Sequence, residues 1–153
     1  MFGRLEHFIM VAGSGSGRTH LNTFDAALHD AGISRYNLIK VSSILPPGAR
    51  EEKNIMLPAG SLLPIAYGSI ESSEEGTLIT AGVSIAIPEN IEDHGVIMEY
   101  SGYLSQEDAK KLLIQMAEDA MKMRKIAVRE VKVKTISRKV KGIVSVFAGV
   151  ALF

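Results

Sequence analysis

The stretch SLLPIAYGSIESSEEGTLITAGVSIAIP, residues 61–88, decides the fold class of this chain. Two apolar segments, 61–70 and 76–88, flank the acidic stretch ESSEEG. Segments rich in β-branched residues and separated by a polar turn with glycine are typical of consecutive strands. Because no helix separates them, they favour an α+β fold over a regular alternation of strands and helices.

Five further segments carry strand patterns, for a total of about six or seven strands. Their residues are continuously apolar or alternate between apolar and polar, and they lie at 7–13, 36–43, 94–103, 126–136 and 142–153. Strands that come mostly in runs predict antiparallel sheets covered by helices. No linker or repeat interrupts the pattern, so we expect a single domain over residues 1–153.

Two segments follow the period of a helix. The first, LNTFDAALHDAG at 21–32, ends at Gly32, a residue type common just past a helix C-terminus. The second, at 105–125, begins at Ser105, with Asp108 placed to complete a capping box. Its predicted buried stripe consists of Leu112, Leu113, Met116, Ala120 and Met123.

Composition excludes several functional classes. The 17 basic and 17 acidic residues give no net charge, so nothing drives the chain toward nucleic acid or an anionic membrane. The absence of cysteine excludes disulfides, thiolate metal sites and thiol nucleophiles. No apolar run reaches the roughly 18 residues of a membrane span. We therefore expect a cytoplasmic protein without a membrane segment.

Neither histidine nor the basic residues indicate a metal or nucleic-acid site. The four histidines are scattered without ligand spacing, so we predict no metal. The stretch 122–141 holds nine lysines and arginines against Glu130, but no aromatic residue interleaves with them. This pattern favours a solvated strand face over binding of single-stranded nucleic acid.

The glycine-rich stretch VAGSGSGRT, residues 11–19, resembles a phosphate-binding loop only in part. Ala12 stands where the P-loop pattern needs its first glycine, and Arg18 stands where it needs lysine. The dinucleotide-binding pattern fails as well, because it would require glycine at Arg18. We therefore predict a structural loop over Gly13–Gly17, with a nucleotide site as a distant alternative.

The stretch NLIKVSSILPPGA, residues 37–49, places two serines between apolar residues. A second pair, Ser72-Ser73, lies among acidic residues, where a turn is expected. The first pair has no such explanation. A serine hydroxyl can attack the carbonyl group of the preceding residue, and elimination from the resulting ester leads through dehydroalanine to a pyruvoyl group.

A resemblance supports that chemistry. The stretch LNTFDAALHDAGISRYNLIKVSSILPPGA, with LPIAYG and VIMEYSG downstream, closely resembles the pyruvoyl-dependent arginine decarboxylases of archaea. The match covers nearly the whole chain and is strongest over 21–49. It implies an αββα four-layer sandwich with mostly antiparallel sheets, assembled as trimers or a multiple of trimers with sites at subunit interfaces.

The resemblance also implies an activity. The chain would cut itself between Ser42 and Ser43 into a β chain, 1–42, and an α chain, 43–153. Ser43 would become the covalent pyruvoyl cofactor. This group would form a Schiff base with L-arginine, which loses CO₂ to give agmatine for polyamine biosynthesis.

The same resemblance assigns roles to single residues. It associates Asn37 with the cleavage site, where its amide would donate to an oxyanion. Asp25, expected in the first turn of a helix, would bind the substrate guanidinium, and Leu28 would line the pocket. Glu99 would donate a proton, which a partly desolvated carboxyl group suits. Arg35 departs from the family pattern, where small or neutral residues are typical, and its role stays open.

Each assigned residue also has an ordinary structural interpretation. Asn37 could bond only to nearby backbone, Asp25 could decorate a helix end, and Leu28 could belong to the core. An exposed strand glutamate would need no role for Glu99. At the level of the whole protein, the alternatives are a decarboxylase of another basic amino acid and an uncleaved paralogue with an assembly or regulatory role.

Overall fold

Residues 3–153, which the computed structural model describes, form nine strands and two helices. In chain order they are β1 (His7–Ser16), α1 (His20–Asp30), β2 (Asn37–Lys40), β3 (Ile44–Leu45), β4 (Arg50–Glu51), β5 (Leu62–Ser72), β6 (Leu78–Pro88), β7 (Gly95–Gly102), α2 (Gln106–Met123), β8 (Val128–Lys139) and β9 (Val144–Leu152). The strands come in runs, as expected. The count exceeds six or seven because the two-residue strands β3 and β4 carry no periodic pattern of their own.

The strands form two sheets that face each other. The first has the order β2-β5-β9-β1-β4 and the second has the order β3-β7-β6-β8. Only the pairs β1–β4 and β2–β5 are parallel, and the other five pairs are antiparallel. Helix α1 packs against β1 and β9, and helix α2 packs against β6, β7 and β8. This architecture confirms the predicted α+β sandwich with mostly antiparallel sheets.

The core is divided among the three interfaces between the four layers of the sandwich. Between the sheets, the largest cluster includes Phe8, Val83, Ile97, Val146 and Val150, all almost fully buried. A second cluster joins α1 to the first sheet, and a third joins α2 to the second sheet. Burial of apolar area at all three interfaces stabilises the four-layer arrangement.

Helix α2 starts where the sequence predicts, directly after Ser105, whereas α1 starts at His20, before the predicted Leu21. The Oγ of Ser105 accepts a hydrogen bond from the backbone N–H of Asp108 at 3.1 Å. Helix α1 is capped by Thr19, whose side chain accepts from the N–H of Asn22, and Gly32 follows the helix with a φ of 79°. A positive φ at this position is easily adopted by glycine.

The stripe predicted on α2 was partly wrong. Leu113 and Ala120 are buried, but Leu112 and Met123 are exposed. The buried set is Ala109, Leu113, Ala117, Ala120 and Met121. Three of these are alanines, because the helix approaches the sheet closely: a Cβ built on Gly82 would lie 2.6 Å from the Cδ1 of Leu113.

The predicted loop over Gly13–Gly17 was also wrong, since β1 continues to Ser16. A Cβ at Gly13 would lie 2.4 Å from the carbonyl oxygen of Ala27, and one at Gly15 would lie 2.4 Å from the Ala27 nitrogen. These glycines therefore allow α1 to rest directly on the strand, and they do not form a phosphate-binding loop. No helix within residues 3–153 is long and apolar enough to cross a bilayer.

Candidate active site

The serine pair lies where the chain passes from one sheet to the other. Strand β2 ends at Lys40 in the first sheet, and β3 begins at Ile44 in the second. The strand expected over 36–43 therefore stops early, and residues 41–43 form the crossover. Leaving one sheet for another interrupts the regular backbone pairing, and this is why two small polar residues stand between apolar neighbours.

Ser43 is held by its carbonyl group alone. The backbone N–H of Ile97 donates to the Ser43 oxygen at 2.8 Å, continuing the antiparallel pairing of Ile44 with Val96. Within residues 3–153, the Ser43 N–H and the Ser43 hydroxyl make no hydrogen bond. The fold thus holds the carbonyl group of Ser43 and leaves its N–H and hydroxyl without a hydrogen-bond partner within the described residues.

Gly95 allows this close pairing of β3 with β7. A Cβ there would lie 2.3 Å from the Ala86 oxygen and 3.1 Å from a methyl carbon of Leu45. A larger residue would push β7 away from both neighbours, because backbone atoms cannot yield as side chains can. The crossover and strand β7 are therefore kept in register by a glycine.

A small cleft of about 160 Å³ opens beside the crossover. It is lined by Val41, Ser42, Ser43, Ile97, Met98, Glu99 and Met116. The serine pair, a carboxylate and two thioether side chains thus meet in one place, although α2 and β7 lie far from the serines in sequence. A larger cleft of about 360 Å³ lies elsewhere, around Leu45, Ile87 and Arg129, and contains neither serine. The smaller cleft is the candidate site because its lining contains the serine pair and a carboxyl group.

Glu99 reaches the cleft because strand residues two apart share a face. Ile97 belongs to the cluster between the sheets, whereas Val96 and Met98 pack with α2. Glu99, two residues after Ile97, therefore lies on the face of β7 that Ile97 occupies. Its side chain is 39% exposed and pairs with the Nζ of Lys40 at 3.4 Å, so it is only partly desolvated.

Asn37 lies outside this cleft. It stands at the start of β2, about 13 Å of extended strand away from Val41. Its side-chain amide donates to the carbonyl oxygen of Gly60 at 2.8 Å, and its backbone N–H donates to Ser61. Within one chain Asn37 thus bonds to backbone, and its role at the scissile bond stays a prediction.

Asp25 and Leu28 also lie apart from the serines, on α1 over the outer side of the first sheet. Asp25 is exposed, and Leu28 is buried in the core beneath the helix. The expectation that Asp25 occupies the first turn was wrong, because α1 begins at His20 and has no acidic residue there. The helix starts early because Thr19 caps it. Arg35 is exposed and stacks on the Tyr36 ring at 5.8 Å.

From the sequence, Ser42, Ser43 and Glu99 were expected at this site, whereas the other lining residues, Val41, Ile97, Met98 and Met116, and the neighbouring Lys40 were missed. Met116 comes from α2, and no local pattern links it to a serine more than seventy positions earlier. Lys40 was detectable, since it is the charged residue in NLIKVSSIL nearest the serine pair. Its partner Glu99 lies on the other sheet, and only the folded structure brings the two together.

Comparisons with known proteins extend over the same residues. Residues 7–149 match the sequence model of the family described as pyruvoyl-dependent arginine decarboxylase. The pyruvoyl-dependent arginine decarboxylase of Methanocaldococcus jannaschii is 41% identical over 144 residues, 94% of this chain and 87% of that protein. The protein of that name from Thermococcus sibiricus is 42% identical over 135 residues, 82% and 85% of the two chains. The matched region includes the crossover and β7.

Proposed function

The chain belongs to the family of pyruvoyl-dependent arginine decarboxylases, and from that premise we propose that it converts L-arginine into agmatine and CO₂. The prosthetic group is a pyruvoyl group bound covalently within the chain. It supplies an electrophilic carbonyl that accepts the electron pair released when an amino acid loses CO₂. Everything else must come from the protein itself.

The state of Ser43 is the observation that carries this proposal. A pyruvoyl residue keeps the carbonyl group of the serine but has neither its N–H nor its hydroxyl. The Ser43 carbonyl is the atom that the fold holds, through Ile97, while the N–H and hydroxyl have no partner within the described residues. Conversion of Ser43 would therefore break no hydrogen bond seen here, and the residues present fit the group.

Self-processing would follow from the same geometry. The Oγ of Ser43 attacks the carbonyl carbon of Ser42, the peptide nitrogen leaves as the amine of residue 43, and an ester links the two residues. Elimination breaks the bond between Cβ and the ester oxygen and leaves a carboxylate on Ser42. Hydrolysis of the dehydroalanine at 43 releases ammonia and leaves the pyruvoyl group. One domain would then consist of chains 1–42 and 43–153.

The residues around the cleft would each have a separate task. The N–H of Ile97 polarises the carbonyl oxygen of residue 43, as a fixed donor does in an oxyanion hole. Glu99 delivers a proton to the former α-carbon of the substrate. The side chains of Met98 and Met116 line the cleft and keep water from the reacting carbon.

The guanidinium contact requires a second copy of the chain. Asp25 and Asn37 do not line the cleft within one chain, so we propose that a neighbouring subunit brings them to Ser43 in a homotrimer. The exposed apolar side chains of Ile39, Ile44 and Leu62 beside the crossover support an interface there. A carboxylate from Asp25 would bind guanidinium through two parallel charge-assisted hydrogen bonds. The cytoplasmic location and the link to polyamine synthesis stay predictions.

Intact mass measurement of denatured, freshly purified protein, followed by product analysis, tests the function. We expect two chains that end at Ser42 and begin at a pyruvoyl group, and formation of agmatine and CO₂ from L-arginine but little product from L-lysine or L-ornithine. A single uncut chain without activity would contradict the proposal. Activity restored by mixing Asp25→Ala and Ser43→Ala subunits during expression would support a shared site.

A further inference from the structure

We propose that Lys40 is a positioning residue that holds the Glu99 carboxyl group toward the cleft at Ser43. This inference rests on the proposed function, because it concerns the proton that Glu99 delivers. Lys40 is the last residue of β2, immediately before the crossover, and Glu99 lies on β7 in the opposite sheet. Their ion pair therefore joins the two sheets across the bond that would be cut.

The ammonium group of Lys40 is held from two sides. Its Nζ lies 3.4 Å from the Oε1 of Glu99 and 4.6 Å from the centre of the Tyr67 ring. That ring stacks on the buried ring of Phe147, with 4.9 Å between centroids. An ammonium over an aromatic face is attracted by the negative electrostatic potential of the ring face, so Lys40 is anchored to the core.

Glu99 needs such an anchor. Its side chain is 39% exposed, and within residues 3–153 Lys40 is its one ion-pair partner. Apart from the serine pair, whose hydroxyls make no hydrogen bond within residues 3–153, the cleft residues beside it, Ile97, Met98 and Met116, offer no polar side-chain atom other than a weakly accepting sulfur. Without Lys40, the flexible side chain of Glu99 would turn toward solvent, where polar groups are best hydrated.

Misplacing this proton has a chemical consequence that can be seen by mass. When CO₂ leaves, its electron pair must end in a new C–H bond. If the proton reaches the substrate α-carbon, agmatine leaves and the pyruvoyl group returns. If a solvent proton instead reaches the α-carbon of residue 43, the substrate nitrogen stays on the protein. Water then replaces that nitrogen on the substrate carbon, so residue 43 becomes alanine and the substrate leaves as 4-guanidinobutanal, whose oxygen comes from this water.

The test compares Lys40→Met with Lys40→Arg, Glu99→Gln and the double variant Lys40→Met/Glu99→Gln. Lys111→Met is the matched control, since Lys111 forms an exposed ion pair with Glu107 at 3.3 Å on the surface of α2. For each protein we measure the cleaved fraction, kcat per cleaved chain, KM, and the share of α chains that carry alanine at residue 43 after many turnovers.

We expect Lys40→Met to be cleaved and to lose about tenfold to a hundredfold in kcat, as a misplaced catalytic group does, with KM nearly unchanged. The share of α chains with alanine at residue 43 should rise in Lys40→Met. Lys40→Arg should retain most of the wild-type rate. In the Glu99→Gln background, Lys40→Met should lower kcat little further. Lys111→Met should behave as wild type.

Several outcomes would overturn the inference. A rise in KM alone would mean that Lys40 binds the substrate carboxylate, and an equal loss in both backgrounds would mean that it acts independently of Glu99. A Lys40→Met protein that stays uncut would move its role to the serine pair. If the wild-type enzyme makes no agmatine, the proposed function is wrong, and the inference about Lys40 is wrong with it.

Discussion

The chain contains the dipeptide Ser-Ser twice, and the two copies have different surroundings. Ser72 is the last residue of β5 and Ser73 follows it, and the Oγ of Ser72 accepts a hydrogen bond from the N–H of Glu74 at 3.0 Å. The turn continues to Gly76, whose φ is 81°. In the first pair, Ser42 and Ser43 join two sheets, and within residues 3–153 neither hydroxyl has a hydrogen-bond partner.

This difference separates a structural serine from a reactive one. A hydroxyl that caps a turn lowers the energy of the folded state and has little freedom to move. A hydroxyl without a partner, on a residue fixed through its carbonyl group, can approach the preceding peptide bond. The dipeptide itself carries no such information, because its reactivity depends on the sheet edge and on β7.

The largest effect is expected from removing the hydroxyl of the second serine in each pair. Ser43→Ala should abolish both chain cleavage and decarboxylation, because no ester can form and no pyruvoyl group can follow. Ser73→Ala should leave both unchanged, since Ser73 makes no comparable contact. Intact mass and ¹⁴CO₂ release from labelled arginine measure the two properties. Cleavage of Ser43→Ala at the usual bond would break the comparison.

The next effect concerns the carboxylate near each pair. Glu99→Gln should still be cleaved but should lose about 10²–10³-fold in kcat, because an amide cannot donate the required proton. Glu74→Gln, beside the second pair, should keep the wild-type rate. Steady-state kinetics per cleaved chain checks both variants. An active Glu99→Gln enzyme would mean that another group or water supplies the proton.

How much of this could be predicted depends on the range of the interactions. The long strands and both helices carry their pattern within ten to twenty residues, so sequence periodicity was sufficient to find them. The short strands β3 and β4 exist only through pairing with β7 and β1. Nothing local distinguishes them from a turn.

Two further differences arise from close approach between layers. Gly13 and Gly15 look like a loop, but they belong to β1 because α1 touches the strand backbone there. Within the site, Ser43 and Glu99 were identified through resemblance, whereas Lys40 was missed. The ion pair of Lys40 and Glu99 is a tertiary contact between two sheets, and the local pattern of the sequence does not indicate it.

Substituting the glycine next to each serine region should have a smaller effect on stability and cleavage. Gly95→Ala places a Cβ 2.3 Å from the Ala86 oxygen, so β7 must shift. We expect a loss of about 2–3 kcal/mol in the free energy of unfolding, together with slower cleavage. Gly76→Ala meets open space but must adopt a positive φ, which costs about 1 kcal/mol and leaves cleavage unchanged. Urea denaturation and a time course of cleavage measure the two quantities.

The smallest effect isolates the hydrogen bond that distinguishes the second pair. Ser72→Ala removes the acceptor for the Glu74 N–H, which is exposed and can bond to water instead. The free energy of unfolding should therefore fall by only about 0.5–1 kcal/mol, with no change in cleavage or kcat. Urea denaturation measures this loss, and Ser73→Ala is the matched control because the Ser73 hydroxyl makes no such bond. If Ser72→Ala slowed cleavage, the second pair would influence the first through β5, and the two regions would not be independent.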